Sequence, residues 1–193
     1  MDFSVVLEQY NTIEHCFTDG KMTSTESNED EPILINGSIY VEDANSNNKR
    51  IGWLTLYQLY NDDDLFLKCD NVSGDCSAVA SVINRSKATL KKLLSDDFDY
   101  ATIYILDHIE IDKEYRSLGI GSAIIQNLLK MIQFQFGDEA VLFLCVGAYE
   151  AADKFGYDSK EHKNANKRLI RFYERAGFRL IKENVMVYCP KNI

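Results

Sequence analysis

At 193 residues, with 46% apolar and 26% charged side chains, the chain has the size and balance of one globular domain spanning 1–193, and a second independent core would be cramped. No apolar run approaches the ~20 residues a membrane-spanning helix needs, and Met1-Asp2-Phe3 opens without a positive stretch, so a cytoplasmic protein away from membranes is expected. The formal charge of −9 opposes general binding to a phosphate backbone, and no nucleic-acid partner is expected.

Taken in chain order, Phe3 to Tyr10 is apolar and suits a strand or a short helix, and 18–31 is polar, acidic and loop-like. Ile33–Val41 and Ile51–Tyr60 alternate around the turn formers of 43–49, which predicts a hairpin. Asn61-Asp62-Asp63-Asp64 lacks the glycine and distal glutamate of a calcium loop and reads as a plain turn before a short strand at Leu65–Lys68. Asp75 is then the expected N-cap of a helix running to about Leu94.

Ala101–Ile111 is a nearly continuous apolar strand that acquires Asp107, His108 and Glu110 towards its end. Gly119–Phe134 carries Ile124, Ile125, Leu128, Leu129 and Ile132 at helical spacing. Val141–Val146 is wholly apolar, as in a strand covered on both faces. A polar insertion, 147–163, precedes a helix over Asn166–Ala176, which Gly177 ends in the left-handed region. Phe178–Tyr188 supplies the last strands. The class is therefore α/β (α+β), a mixed central sheet flanked by helices.

Five scattered cysteines without a CxxC pair read as free thiols, and no metal site is expected at His15-Cys16 or elsewhere. Cys145, inside an apolar strand, reads as a core thiol. Charge is uneven. Lys160 to Lys182 holds eight basic residues against two acids, a local +6 that leaves −15 for the remainder. Such a patch suits a small phosphorylated ligand or a solvated helix face.

The segment Ile109-Glu-Ile-Asp-Lys-Glu-Tyr-Arg116-Ser-Leu-Gly119-Ile-Gly121-Ser122 takes a buried strand through a tight turn into a helix. Glycines permit close backbone approach, and the helix N-terminus adds open N–H groups and partial positive charge, so the segment suits a diphosphate. The Gly-Lys-Ser/Thr of a P-loop is missing, and Ile124 stands where a dinucleotide-binding turn has its third glycine.

What remains, Arg116-x-x-Gly119-x-Gly121 after Ile109–Tyr115, resembles the acetyl-CoA-binding motif of the GNAT N-acetyltransferase superfamily. A second segment, Asn166-Lys-Arg-Leu-Ile-Arg-Phe-Tyr173-Glu-Arg-Ala-Gly177-Phe178, resembles that family's later helix. The resemblance covers about 100–180. The helix near 75–94 and the length of the 147–163 insertion depart from the family pattern and bear on the acceptor side.

The resemblance implies a GNAT-like acyl-CoA N-acyltransferase fold. The implied reaction is direct transfer of an acetyl group from acetyl-CoA to a primary amine, on a small molecule, peptide or protein, in a ternary complex. It implies cofactor contacts from the main chain of Ile109 and Ile111, from Arg116, Ser117, Leu118, Gly119, Ile120, Gly121 and Ser122, and from Asn166, which a helix cap would explain equally well. Tyr173 matches the family's general acid, and a phenol of pKa about 10 keeps its proton at neutral pH. Asp107 or Glu110 would serve as base. Alternation puts Asp107 on one strand face and His108 with Glu110 on the other, a rule that a bulge, common there in the family, would break. Gly121→Val is expected to fill the phosphate seat. The alternative is a catalytically silent acyl-CoA-binding module. A monomer or homodimer fits either reading.

Overall fold

The alternating runs of the first half pair as neighbours in sequence, helices lead into and out of the fifth strand, and a tight turn at 183–184 joins the last two. The computed structural model of the chain describes residues 3–11, 32–42, 48–136 and 140–188. The expected loop at 18–31, most of the 43–49 turn and the His15–Cys16 pair lie outside the described residues. The described strands are β1 (Phe3–Asn11), β2 (Ile33–Glu42), β3 (Asn48–Tyr60), β4 (Thr102–Ile111), β5 (Ala140–Cys145), β6 (Phe178–Lys182) and β7 (Val185–Tyr188). They form a seven-stranded sheet in the order β1-β2-β3-β4-β5-β7-β6. Only β4 and β5 pair in parallel; the other ladders are antiparallel, so the sheet is mixed, as expected.

The helices are α1 (Leu65–Asp70), α2 (Gly74–Leu93), α3 (Ile120–Phe136), α4 (Tyr149–Phe155) and α5 (Lys160–Arg175). Leu65–Lys68 is therefore the start of a helix. One turn suffices to bury Leu65 and Cys69 while Phe66 and Leu67 stay exposed, a spacing four residues apart that a short apolar run does not distinguish from a strand. The cap of α2 is Ser73, whose Oγ accepts from the Cys76 amide at 3.1 Å; Asp75 lies in the first turn, where its charge suits the helix dipole. The last helix begins six residues before Asn166, capped by Ser159, whose Oγ accepts from the His162 amide at 3.0 Å. Gly177 takes φ +101°, as expected.

Alternation along the central strands sorts the core into two layers. Leu54, Leu56, Tyr104, Leu106, Leu142 and Leu144 pack towards α3 and α5, where Ile124, Ile125, Leu128, Leu129 and Ile132 are buried. Each of these aliphatic side chains stabilises the fold by roughly 1.5–3 kcal/mol through burial. Ile103, Ile105, Val141 and Phe143 pack on the other face against Val79, Val82, Ile83 and Leu90 of α2. Both faces of β4 and β5 are covered, which accounts for their near-continuous apolar runs. Among the described residues no helix is long and apolar enough to cross a membrane.

Candidate active site

The ladder between β4 and β5 ends at Leu106 opposite Leu144, while β4 runs on to Ile111. Beyond that rung β5 has a single residue more, Cys145, so β4 from Asp107 to Ile111 presents an edge without a strand partner, the opening on the β5 side. At the same point β4 is bulged. Thr55 of β3 faces His108 and Leu56 faces Leu106, so Asp107 is the extra residue.

The bulge breaks the alternation expected for the strand end. Asp107 continues the face of Ile103 and Ile105, and its Oδ1 accepts from Ser73 Oγ at 2.5 Å, with Cys76 Sγ 3.7 Å away. His108 is turned to the same side. Its ring stacks on Trp53 with centroids 4.3 Å apart, and Nε2 is 3.9 Å from Glu110 Oε2. Asp107, His108 and Glu110 therefore share the α2 face of the sheet. Ile109 and Ile111 point the other way, against the α3/α5 core.

Several residues that the sequence did not single out complete this side. The Tyr149 hydroxyl donates to Asp75 Oδ2. Burial raises the Asp75 carboxyl above the usual range, the Tyr149 hydrogen bond opposes that, and the Asp107 charge adds to it. Burial, then Asp107, raise the Tyr57 phenol. Burial, then Asp75, push the Cys145 thiol up to about 12, so it is no thiolate at neutral pH. Tyr149 lies inside the polar insertion, and Asp75 carries the signature of a cap. Nothing in a linear pattern announces contacts that span 74 residues.

On the far side of the opening stands the turn Arg116–Ser122. Ser117 takes φ +63° and Gly119 φ +82°, alternate left-handed positions that turn the backbone sharply before α3. The first helical bond of α3 runs from the Ala123 amide to the Gly119 carbonyl at 3.1 Å. The N–H groups of Ile120, Gly121 and Ser122 precede it and have no carbonyl one turn back to bond. Open N–H groups at a helix N-terminus suit an anion. Ile120 is buried and anchors the turn, while Leu118 is 59% exposed. A Cβ at Gly121 would meet Ile111 Cδ1 and Phe172 Cζ at 3.5 Å. Gly121 thus faces the protein interior, and a valine there would collide with packing before it filled a phosphate seat.

Arg116 commits three of its five N–H donors. Its Nε donates to the Ile111 carbonyl at 2.6 Å, and Nη1 and Nη2 fork onto Glu150 Oε2 and Oε1 at 2.8 and 2.9 Å. The pairing lowers the Glu150 carboxyl and raises the Arg116 guanidinium. Asn166 lies within α5 and does not cap it. Its Oδ1 accepts from the Ala148 amide at 2.8 Å, and Nδ2 is 3.3 Å from His162 Nε2. His162 Nδ1 contacts the Tyr157 carbonyl and must donate there, which leaves Nε2 as the acceptor. Asn166 thereby fixes the chain as it leaves β5.

Tyr173 sits on the inner face of α5, 8% exposed, with Phe172 and Phe178 edge-on at 5.0 and 5.6 Å. Burial pushes its phenol up to about 12. It belongs to the α3/α5 core layer, whereas Asp107 and Glu110 belong to the α2 side. A reaction centre in the opening would have the candidate acid and bases on opposite faces. Among the described residues no cluster of three or more His, Cys, Asp or Glu side chains is arranged to hold a metal ion.

No family model and no curated protein matches the chain. Among solved structures, the chain is similar to Arabidopsis thaliana NAA60 in complex with acetyl-CoA, at 14% identity over 96% of this chain and 99% of that one, with a TM-score of 0.48. It is also similar to Arabidopsis thaliana Naa50 in complex with the bisubstrate analogue CoA-Ac-MVNAL, at 14% identity over 79% and 68% of the two chains, with a TM-score of 0.38. A third neighbour is the KacTA–DNA complex, at 14% identity over 81% and 67%, with a TM-score of 0.43. Identities of this order and TM-scores below 0.5 leave the residues of this chain to carry the functional reading.

Proposed function

We propose that the chain is a one-domain, GNAT-like acyl-CoA-dependent N-acyltransferase that moves an acetyl group from acetyl-CoA to a primary amine. One observation carries the reading: the β4 edge opens from β5 immediately before a left-handed turn whose amides lead into α3. A diphosphate held at residues 116–122 lays the rest of an extended thioester along the β4 edge, where the main chain of Ile109 and Ile111 can bond to it. The amine then enters from the α2 face, past Asp107, Glu110 and Tyr149.

The chemistry is direct. The amine nitrogen attacks the thioester carbonyl carbon, its proton passes to Asp107 or Glu110 directly or through one water, and the C–S bond breaks as the oxyanion collapses. The departing thiolate takes its proton from Tyr173, a phenol that is protonated at neutral pH. The products are an amide and free coenzyme A. No acyl-enzyme is formed, which agrees with the raised Cys145 thiol. Asn166 contributes through the Ala148 amide. Acceptors in this reading are amine-bearing small molecules or peptide amines.

The alternative, an acyl-CoA-binding module without turnover, is favoured by the enclosure of Tyr173 between two phenylalanines. Incubation with acetyl-CoA and a panel of amines, followed by release of free thiol, separates the two. Thiol release with any amine supports the enzyme; calorimetric binding of acetyl-CoA without release supports the module; no binding of coenzyme A in any form removes both.

A further inference from the structure

Three consecutive residues after β5 are tied to three different elements. The Ala148 amide bonds to Asn166 of α5, the Tyr149 hydroxyl to Asp75 of α2, and the Glu150 carboxylate to Arg116 of the anion-binding turn. The segment lies where β5 leaves β4, so it bridges the donor side and the α2 side of the opening. Its two side-chain ties differ in kind. A phenol on a partly buried aspartate has no evident competitor on the donor side. The Arg116 fork, by contrast, holds a carboxylate at bidentate geometry, and carboxylate and phosphate oxygens present the same spacing to a guanidinium.

We propose that Glu150 is a positioning residue of the donor site: it occupies the Arg116 fork while the turn is empty, and a diphosphate must displace it to bind. The inference rests on the reading of residues 116–122 as a diphosphate seat. The Arg116 side chain has three of its donors committed, one to Ile111 and two to Glu150. The Ile111 bond keeps the guanidinium at the mouth of the turn, and the exposed pair with Glu150 is the bidentate contact that a ligand's oxygens can take over. Glu150 and Arg116 are partly exposed, with side-chain exposures of 60% and 36%, so the exchange needs no opening of the core. Because Glu150 follows Tyr149 directly, loss of its partner also loosens the segment that carries Tyr149 to Asp75.

The test uses the full chain with coenzyme A, inorganic pyrophosphate and pantetheine, which lacks the diphosphate, as calorimetric probes. Glu150→Gln removes the competing charge, and Glu150→Asp keeps the charge but shortens the reach and breaks the fork. Both variants are expected to bind coenzyme A and pyrophosphate about three- to tenfold more tightly than the parent chain, the range of an exposed but bidentate ion pair, with pantetheine unchanged. Equal or weaker affinity in both variants overturns the inference. So does tightening in Glu150→Gln alone, which assigns the effect to a general field. If the parent chain binds pyrophosphate but no form of coenzyme A, the transferase reading falls, while the pyrophosphate comparison still decides the role of Glu150. If pyrophosphate binds neither the parent nor the variants, there is no seat to compete for and the inference falls.

Discussion

Ser73 and Asp107 are joined by one hydroxyl: Ser73 Oγ accepts from the Cys76 amide to cap α2 and donates to the carboxylate at the β4 bulge. The first turn of a helix and the irregular rung of a strand are thus fixed against each other. Ser73→Ala removes the cap and one donor to Asp107. It is expected to cost about 1–2 kcal/mol, a fall of a few degrees in Tm. Asp107→Asn keeps an acceptor for Ser73, so Tm should hold while kcat falls by about 10²-fold or more if Asp107 takes the amine proton. Unaltered kcat with a lowered Tm would make Asp107 structural and leave Glu110 as the base.

Tyr173→Phe is expected to lower kcat by about 10²-fold while acetyl-CoA affinity, measured by calorimetry, changes little. A variant with full turnover removes the acid assignment. The same residue gives a stability signature. Burial raises the folded phenol from 10.0 to about 12, so its contribution is intact below pH 10 and is lost as the pH rises from 10 to 12, where the unfolded chain ionises first. The melting temperature of Tyr173→Phe should fall less across that window than that of the parent chain. Parallel pH profiles would mean that the phenol is solvated.

Much of this was legible in the linear sequence, and what was not has a common cause. The two apolar runs of β4 and β5, the face of α3 and the Gly177 stop follow from periodicity and glycine conformation. The turn at Arg116–Gly121 was recognisable because backbone chemistry needs local spacing. The sequence did not reveal the extra residue at Asp107, because a bulge is decided by the partner strand. That one extra residue moved His108 and Glu110 onto the side of Asp107. Asn166 looked like a helix cap because the preceding turn, from Ser159, lay hidden in a polar insertion. Glu150, 34 residues from Arg116, carries no local signal at all.

Glycine substitutions separate close backbone approach from open space. A Cβ at Gly52 would stand 2.2 Å from the Glu110 carbonyl oxygen, a main-chain atom that cannot step aside. Gly52→Ala should therefore destabilise by about 1–3 kcal/mol, read as a lower urea midpoint. Gly121→Ala, whose Cβ would sit in ordinary contact with Ile111 and Phe172, should be neutral or stabilising by up to about 1 kcal/mol because alanine suits the first turn of α3 better. An unchanged midpoint for Gly52→Ala would contradict the strand spacing at that rung.

Direct transfer makes a further demand. With its thiol raised to about 12 by burial and Asp75, Cys145 should remain unacylated when the chain is incubated with acetyl-CoA alone, by intact-mass spectrometry. Cys145→Ala should retain turnover within about twofold, since no thiolate is available to act. A mass increase of one acetyl group mapped to Cys145 would replace direct transfer with a covalent route.

The sheet has a seam. Strands β1 to β4 follow one another as antiparallel neighbours, β5, β7 and β6 form a second antiparallel set in that spatial order, and a single parallel ladder, Thr102–Leu106 against Ala140–Leu144, joins them. An antiparallel neighbour can form across a short turn, but this ladder waits for the whole α3 crossover. A cut before β5 would therefore leave β4 and the turn 116–122 together in the first half, so that half alone carries the proposed diphosphate seat while Tyr173 and Asn166 go with the second.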